Sequence, residues 1–478
     1  MSSSPNSSSA LLDPVQITFP ARSAKPQPKL AATENASTTL RIVVVGGGSY
    51  NWSPVLLCDL LQAPTLEGSE IVLWDIDIAA AEDIKRTMDA VAAANGKSMR
   101  FTVASSEEEA FRGADFVMIT ISTGGLATMR HDVTIPEKYS IFQTVGDSVG
   151  PGGWSRLLRN VPVFMDMAEK IQRLAPDAVI LNYTNPMAGL TGALSRSCSL
   201  RVVGLCHGMI STRHYLSRIF GTTMQEIQML VGGINHFFWL LDFRVDGRDG
   251  YAELRKKLNG GSLLKFDKAS RDPMGFSDYN HLVFAELYED FGRLSYSGDR
   301  HTCEFFNRYL TNKETLERYK LKRTTMEDRE LQIQEAKQRA HDLASGKEAM
   351  PERSAETAVD IIHAMTSNTP FVDVVNLPNV GQVDNLPRGA VVETLGVVNA
   401  TGFSPIACGP LPAKIHHATE PHCHVQMMTL EAAMTGDRSL ALDALMLDPL
   451  CAHLSSSDVK KMGLELLEAT RSYLPQFE

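Results

Sequence analysis

No stretch of this 478-residue chain offers the roughly 18 consecutive apolar residues that a membrane-crossing helix needs. Basic residues are in the minority: 46 Lys and Arg against 56 Asp and Glu leave a formal net charge of −10. There is no basic excess to meet the phosphates of nucleic acid and no Lys/Arg cluster to meet a membrane surface. An anionic substrate would have to be met by local positive charge, because the overall field repels it. Disulfide staples are not expected either. The seven cysteines (58, 198, 206, 303, 408, 423 and 451) are odd in number, scattered and without a C-x-x-C pair, which fits a reducing, cytoplasmic setting. The first 38 residues are rich in Ser, Pro and Ala but lack the apolar core of a signal peptide. Arg22 is their only arginine, and Asp13 and Glu34 are atypical of a transit peptide, so residues 1–38 are expected to be a disordered extension. No internal repeat is visible.

What is present begins at LRIVVVGGGSYNWSP, where residues 41–45 form a short continuous apolar run, as in a strand buried on both faces. Strand-like and helix-like segments then alternate through EIVLWDID, FTVAS, ADFVMITIS, AVILNYTNP and RVVGLC. That alternation predicts an α/β fold, a Rossmann-type doubly wound parallel sheet over 39–210. From 211 to 478 the pattern shifts to helices with strand-like pieces at 229–245, 370–379 and 390–399. This portion is expected to be a mixed α+β domain for substrate binding and oligomerisation. Residues 325–347 are expected to form an exposed charged helix, and the segment after 427 two helices around a turn at Gly436–Asp437.

Gly46-x-Gly48 follows the first strand and opens a helix, an arrangement that lets backbone approach a pyrophosphate at a helix N-terminus. Ser49 completes the turn; Asn51 stands where the third glycine of a G-x-G-x-x-G pattern would be. Asp75, at the end of the second strand, can accept hydrogen bonds from ribose hydroxyls and would repel a 2′-phosphate, which favours NAD over NADP. Its distance from the glycines exceeds the usual ~20 residues. The loop Ser122–Gly125 after a further strand is expected to line the same cofactor.

Later strand ends are loaded with polar groups: Asn182–Pro186, then Cys206-His207-Gly208, then Gly233-Ile234-Asn235-His236, and Gly298–Glu304. A thiolate and a distant imidazole can hold a divalent cation with positions open for substrate oxygens. Taken alone, Cys206 could equally be a small buried residue or a redox thiol, and His236 a core histidine.

Together these segments resemble glycoside hydrolase family 4, the NAD- and manganese-dependent glycosidases, over most of residues 40–450. The likeness rests on VVGGGS, VGDSVGPGG (145–153), NYTNPM (182–187), GLCHG (204–208), GINHFFW (233–239), GDRH..EFF (298–306), NLPNVGQVDNLPRGAVVET (376–394) and GPLPAKI (409–415). GDSVGPGG, NYTNPM and GDRH..EFF are most similar to the α-galacturonidase branch. The resemblance implies Cys206 and His236 as metal ligands, Asn185 as a substrate contact with Asn235 beside it, and Gly46, Gly48, Ser49 and Asp75 as the NAD site. It also implies redox-elimination, an exception to two-carboxylate hydrolysis: oxidation at sugar carbon 3, loss of the carbon 2 proton with departure of the aglycone, addition of water, and return of the hydride. His207 stands where related phospho-α-glycosidases have an acidic proton donor, and His301, ahead of Tyr296, is the expected base. Arg300 could pair a uronate carboxylate bidentately, and Asp147 is expected to touch a sugar hydroxyl or the metal's water. The tract His416, His417, His422, Cys423, His424 is expected on a surface helix and loop.

The expected substrate is therefore a small-molecule glycoside or oligosaccharide ending in α-linked uronic acid. Neutral α-galactosides, α-glucosides or α-glucuronides are the nearest alternatives. A hydroxy-acid dehydrogenase and a nucleotide-binding regulator with an inert site are rivals from other classes. Partners in nucleic acid or membrane are not expected; a homodimer or homotetramer is.

Overall fold

Residues 39–266, 270–271 and 278–478 are described by the structure, a computed structural model. The extension expected at 1–38 lies outside the described residues.

The apolar run becomes strand β1 (Arg41–Val45), with β2 (Glu70–Trp74), β3 (Arg100–Val103), β4 (Phe116–Ile119), β5 (Val179–Asn182) and β6 (Arg201–Gly204) beside it. These six pair in parallel in the order β3-β2-β1-β4-β5-β6, the arrangement of a doubly wound nucleotide-binding sheet. Alternate residues of β1 go to opposite faces. Val43 and Val45 enter one core with the helix Gly150–Leu174, while Ile42 and Val44 enter another with the helices Ser53–Gln62 and Ile78–Ala94. Full burial of such side chains contributes about 1.5–3 kcal/mol each, so a strand with both faces covered selects for an unbroken apolar run.

The chain then leaves the sheet. Strands β7 (Ile227–Ile234), β8 (Phe237–Val245) and β9 (Arg248–Asp249) form a separate antiparallel sheet, and β10 (Ser270–Arg271) pairs with β11 (Asp278–Tyr279). Strands β12 (Phe371–Pro378), β13 (Val391–Asn399) and β14 (Gly402–Pro405) return to the first sheet and add antiparallel beyond β6, with Asn376 opposite Gly204. The large sheet therefore draws nine strands from both sides of residue 210.

The expected charged helix is present as Met326–Ala344, with Met326, Ala336 and Ala340 buried. The two late helices are Ala413–Thr435 and Arg438–Met446, separated at Gly436, whose φ of 75° suits glycine. The histidine tract differs from expectation. It lies on Ala413–Thr435, but His422 and Cys423 are each 1% exposed, and the His422 ring donates from Nε2 to the carbonyl of Phe305 at 3.0 Å. Their positions share the inward stripe of Ile415, Thr419, Leu430 and Ala433 at helical spacing, and only His417 and His424, with half-buried His416, turn outward. Among the described residues no helix is long and apolar enough to cross a membrane.

Candidate active site

The ends of β1, β2, β5 and β6 carry predicted site residues at the carboxyl edge of the large sheet, where such sheets bind ligands, while Asn235 and His236 end a strand of the separate sheet. At β1, Gly46 has φ of 91°, and a Cβ there would stand 2.8 Å from the carbonyl oxygen of Thr120. At Gly48 a Cβ would stand 3.0 Å from Oδ2 of Asp75. The glycines therefore clear a cradle, closed by Gly48 N–H donating to Asp75 Oδ2 at 2.9 Å. Asp75 Oδ1 accepts from Asp77 N at 2.9 Å, which fixes the carboxylate's plane at the end of β2. Ser49 accepts from Trp52 N at 3.3 Å and leads into the helix Ser53–Gln62. Backbone cradle, helix start and anchored carboxylate fit a dinucleotide, as the sequence predicts. In the Ser122–Gly125 loop, the Thr123 hydroxyl is spent on Asn160 Oδ1 at 2.7 Å.

The second assembly gathers residues distant in sequence. Asn235 and His236 are the two turn residues between β7 and β8. His236 has φ of 63°, uncommon for a side chain this size and retained where a ring must be aimed. Residues 294–296 run along β8, with Leu294 O accepting from Leu240 N at 2.8 Å and Tyr296 N donating to Phe238 O at 3.1 Å. The short helix Asp299–Thr302 that follows delivers His301 over His236, their ring centroids 4.0 Å apart. From the other side comes Asp147, with Oδ1 3.7 Å from His301 Nδ1. One ligand atom each from Asp147, His236 and His301 lies within 4.8 Å of the others.

Glu304, the acid of GDRH..EFF, has a role that the motif alone does not disclose. Its buried carboxylate accepts from Val145 N at 2.7 Å, Gly146 N at 2.9 Å and the Thr144 hydroxyl at 3.0 Å. The turn that carries His301 thus also fixes the loop that carries Asp147. Burial pushes the Glu304 carboxyl up to about 7, with Asp147 adding to the rise.

Hydrogen bonds divide the labour within the cluster. The His236 ring donates from Nδ1 to Ser148 Oγ at 2.8 Å, and Ser148 donates to Asp147 Oδ1 at 2.8 Å. That chain fixes the tautomer and leaves His236 Nε2 with its lone pair, the arrangement of a metal-binding imidazole with its outer partner. Burial drives the His236 ring well below its ordinary value, and His301 to about 4. Burial acts to raise Asp147, but the two rings, Arg156 and Ser148 outweigh it and hold the carboxyl at about 2. An ionised carboxylate beside two neutral imidazoles can hold a divalent cation through one ring and take a proton on the other. His301 Nδ1 is buried without a hydrogen bond, as expected of a nitrogen kept for an incoming group.

Cys206 and His207 stand at the end of β6, just before the helix Gly208–Phe220. Cys206 Sγ accepts from Gly208 N at 3.4 Å and is not among the three clustered donors. Burial and the nearby Glu393 push its thiol well above its ordinary value, so a bound cation would be needed to keep it as thiolate. The Asn235 amide donates to Glu393 Oε2 at 3.1 Å rather than standing open. Burial pushes Glu393 up to about 7.

Asn185 precedes a cis peptide to Pro186, and its carbonyl accepts from Arg156 Nε at 2.9 Å. Arg300 is more constrained than the sequence suggests: Nε donates to Lys322 O at 2.8 Å and Nη2 to Thr324 Oγ1 at 2.5 Å. Arg156 and Arg329, which motif reading did not select, act electrostatically on Asp147, and Arg300 and Arg329 act on His301. Two guanidinium groups acting on one carboxylate, and a third on the ring beside it, form a local positive field inside an acidic protein.

Comparison with known proteins finds relatives along most of the chain. The family 4 glycosyl hydrolase profile matches residues 41–222, and the family's C-terminal domain profile matches 231–451. An alpha-galacturonidase from Lachnoclostridium phytofermentans is 33% identical over 91% of this chain and 97% of its own. An alpha-galactosidase from Bacillus subtilis is 30% identical over 92% of this chain and 100% of its own. Among solved structures, a putative glucosidase from Bacillus subtilis superposes with a TM-score of 0.81 at 30% identity, covering 90% of this chain and 100% of that one. A 6-phospho-alpha-glucosidase from gut microorganisms, solved with NAD and Mn2+, shares the fold at a TM-score of 0.76 and 20% identity over 92% of this chain and 100% of its own. Profiles that together run from residue 41 to 451, and relatives at 30–33% identity over nine-tenths of the length, establish that the chain belongs to the family 4 glycosyl hydrolases and is a glycosidase.

Proposed function

We propose that the protein is an α-galacturonidase that uses NAD and a divalent cation, Mn2+, to release terminal α-linked galacturonate from glycosides and oligosaccharides by redox-elimination. The observation that carries this reading is the Asp147–His236–His301 cluster, linked to the glycine turn through His207, which acts electrostatically on both rings and whose own ring lies 6.5 Å from Trp52.

When bound, the dinucleotide would supply reversible hydride transfer and the cation Lewis-acid polarisation of the substrate. Gly46, Gly48 and Ser49 would present backbone to the pyrophosphate, and Asp75 would take the ribose hydroxyls. His236 Nε2 and Cys206 would hold the cation. His301, neutral and 3.7 Å from Asp147, removes the carbon 2 proton, and Asp147 stabilises the imidazolium that results. His207 gives a proton to the departing oxygen. Asn185 and Asn235 border the sugar, and Arg156, Arg300 and Arg329 share its carboxylate charge. All seven cysteines are free, and the reading takes the enzyme as a cytoplasmic homodimer or homotetramer that binds neither nucleic acid nor membrane.

The test compares 4-nitrophenyl α-galacturonide with the α-galactoside, each with and without NAD+, Mn2+ and reductant. Hydrolysis of the uronide that needs both cofactors, without net NADH, supports the reading. Full-rate hydrolysis by chelated, NAD-free enzyme overturns the redox mechanism, equal rates on both sugars overturn the uronate assignment, and steady NADH accumulation identifies a dehydrogenase.

A further inference from the structure

His207 has a buried partner that none of the motifs includes. Its Nδ1 lies 3.7 Å from Oε1 of Glu356, a side chain only 3% exposed. A carboxylate this deep is costly to bury and is destabilising unless donors or a cation face it; the Tyr183 hydroxyl interacts with it from one side and the His207 imidazole from the catalytic edge. The backbone around it is pinned. Ser354 N donates to Asp59 Oδ1 at 2.7 Å, the Ser354 hydroxyl bonds Asp59 Oδ2, and Glu356 N donates to Ser354 Oγ at 3.1 Å. Asp59 sits buried in the helix Ser53–Gln62 that begins behind the glycine turn. Glu356 is thus fastened to the cofactor-binding half while its carboxylate meets a ring from the β6 edge. Trp52, from the same turn, faces that ring at 6.5 Å between centroids, and Tyr183 packs against Trp52 at 5.8 Å. The other nearby acid, Glu393, is engaged by the Asn235 amide and is not equivalent.

We propose that Glu356 is the positioning residue for His207, fixing the rotation of its ring so that Nε2 points at the leaving oxygen. The inference rests on the reading of His207 as proton donor in the elimination. In that step, on sugar already oxidised at carbon 3, the base takes the carbon 2 proton and the freed electron pair forms the C1–C2 double bond. The C1–O bond breaks, and the aglycone oxygen receives its proton from His207. Glu356 acts through the ring in this role, while its charge also reaches the Cys206 thiol and the Tyr183 hydroxyl.

An acid matters most when the departing oxygen is a poor leaving group. Wild type, H207Q, E356Q and the double variant are compared on α-1,4-digalacturonate, whose departing hydroxyl needs a proton, and 4-nitrophenyl α-galacturonide, whose phenolate barely does. H207Q is expected to lose about 10²–10³ in kcat on the disaccharide and less than about tenfold on the nitrophenyl substrate. E356Q is expected to lose about tenfold and about twofold respectively, with KM changed less than about twofold, because it affects donation and not binding. The double variant should match H207Q within about twofold, since a residue that acts only through His207 has nothing left to position. E356D, which keeps the carboxylate, should recover part of the loss and carries the same comparison if E356Q does not fold. Losses that multiply in the double variant, or an E356Q loss equal on both substrates, overturn the positioning role. An H207Q loss equal on both substrates instead overturns the proton-donor reading itself.

Discussion

The two halves of the active edge are built on different principles. The glycine turn is local: Gly46, Gly48 and Asp75 are brought together by one strand-turn-helix-strand unit, and the turn closes on itself through a Gly48 N–H to Asp75 bond before any ligand is considered. The histidine cluster is global. Asp147 comes from a loop before the helix Gly150–Leu174, His236 from a hairpin tip, and His301 from a turn beside β8, and only the fold brings the three together. The local half satisfies its own hydrogen bonds. The global half leaves His301 Nδ1 without one and drives two imidazoles neutral beside an anion. A region that is satisfied alone can bind and release a ligand with little change of shape. A region carrying unmet polar groups gains more from its ligand, and that is where chemistry is to be sought.

Replacing His236 with Ala is the largest expected break in this contrast. Cation polarisation supplies several kcal/mol in the transition state, so turnover should fall by about 10³ or more. Mn2+ binding, read by calorimetry, should be lost while NAD affinity stays within about threefold of wild type. His301→Gln should abolish turnover yet keep Mn2+ binding. If it loses the ion as well, His301 is a ligand rather than the base.

Next in size is the joint between the halves. Arg159, on the helix Gly150–Leu174, is fully buried against Asp132 and donates from Nη1 to its Oδ1 at 2.8 Å and from Nε to Thr123 O at 3.0 Å. Leaving one partner of such a pair uncompensated costs about 3–5 kcal/mol. Asp132→Ala should accordingly lower the unfolding free energy measured in urea by that amount, whereas Asp75→Ala, which loses the bonds from Gly48 N and Asp77 N, should lower it by only about 1–2 kcal/mol. Equal stability losses would mean that the glycine half is as dependent on distant contacts as the histidine half.

These contrasts explain what was readable beforehand. The strand ends are legible because a doubly buried strand must be an apolar run and a close backbone approach must be glycine. Cys206, His207, Asn235 and His236 are visible as polar residues that terminate such runs. Glu304 is visible within GDRH..EFF but its role, like that of Glu356, is not, because an acid within a sequence says nothing about the backbone amides 158 and 159 residues away, or the ring 149 positions earlier, that it meets once folded. Arg156 and Arg329 escaped for the same reason: their significance is the field around Asp147, which exists only in three dimensions. His422 shows the reverse error. Histidines clustered in sequence suggest a surface tract, yet helical spacing turns two of its five positions, His422 and Cys423, into the core.

A smaller effect sharpens the local half. Asp75→Ala should weaken NAD about 10- to 30-fold, by removing two charge-assisted hydrogen bonds to the ribose of about 1 kcal/mol or more each. It should raise NADP affinity, since the charge that repels a 2′-phosphate is gone. Fluorescence titration with both nucleotides measures this, and an unchanged NAD affinity would remove Asp75 from the site.

The smallest expected change is at Arg300, although the sequence makes it the most obvious uronate clamp. Its Nε and Nη2 already donate to Lys322 O and Thr324 Oγ1, and its own carbonyl accepts from the Thr144 hydroxyl, so much of its bonding holds the His301 turn in place. Arg300→Gln should cost about 1 kcal/mol of stability and only about two- to threefold in the ratio of uronide to galactoside turnover, because Arg156 and Arg329 still supply positive charge around Asp147. Arg329→Gln, which breaks only a 3.1 Å bond to Gln332 within its own helix, should change that ratio more than it changes stability. If Arg300→Gln alone erases the preference for the uronide, the positive field is not shared, and specificity at this edge depends on a single residue after all.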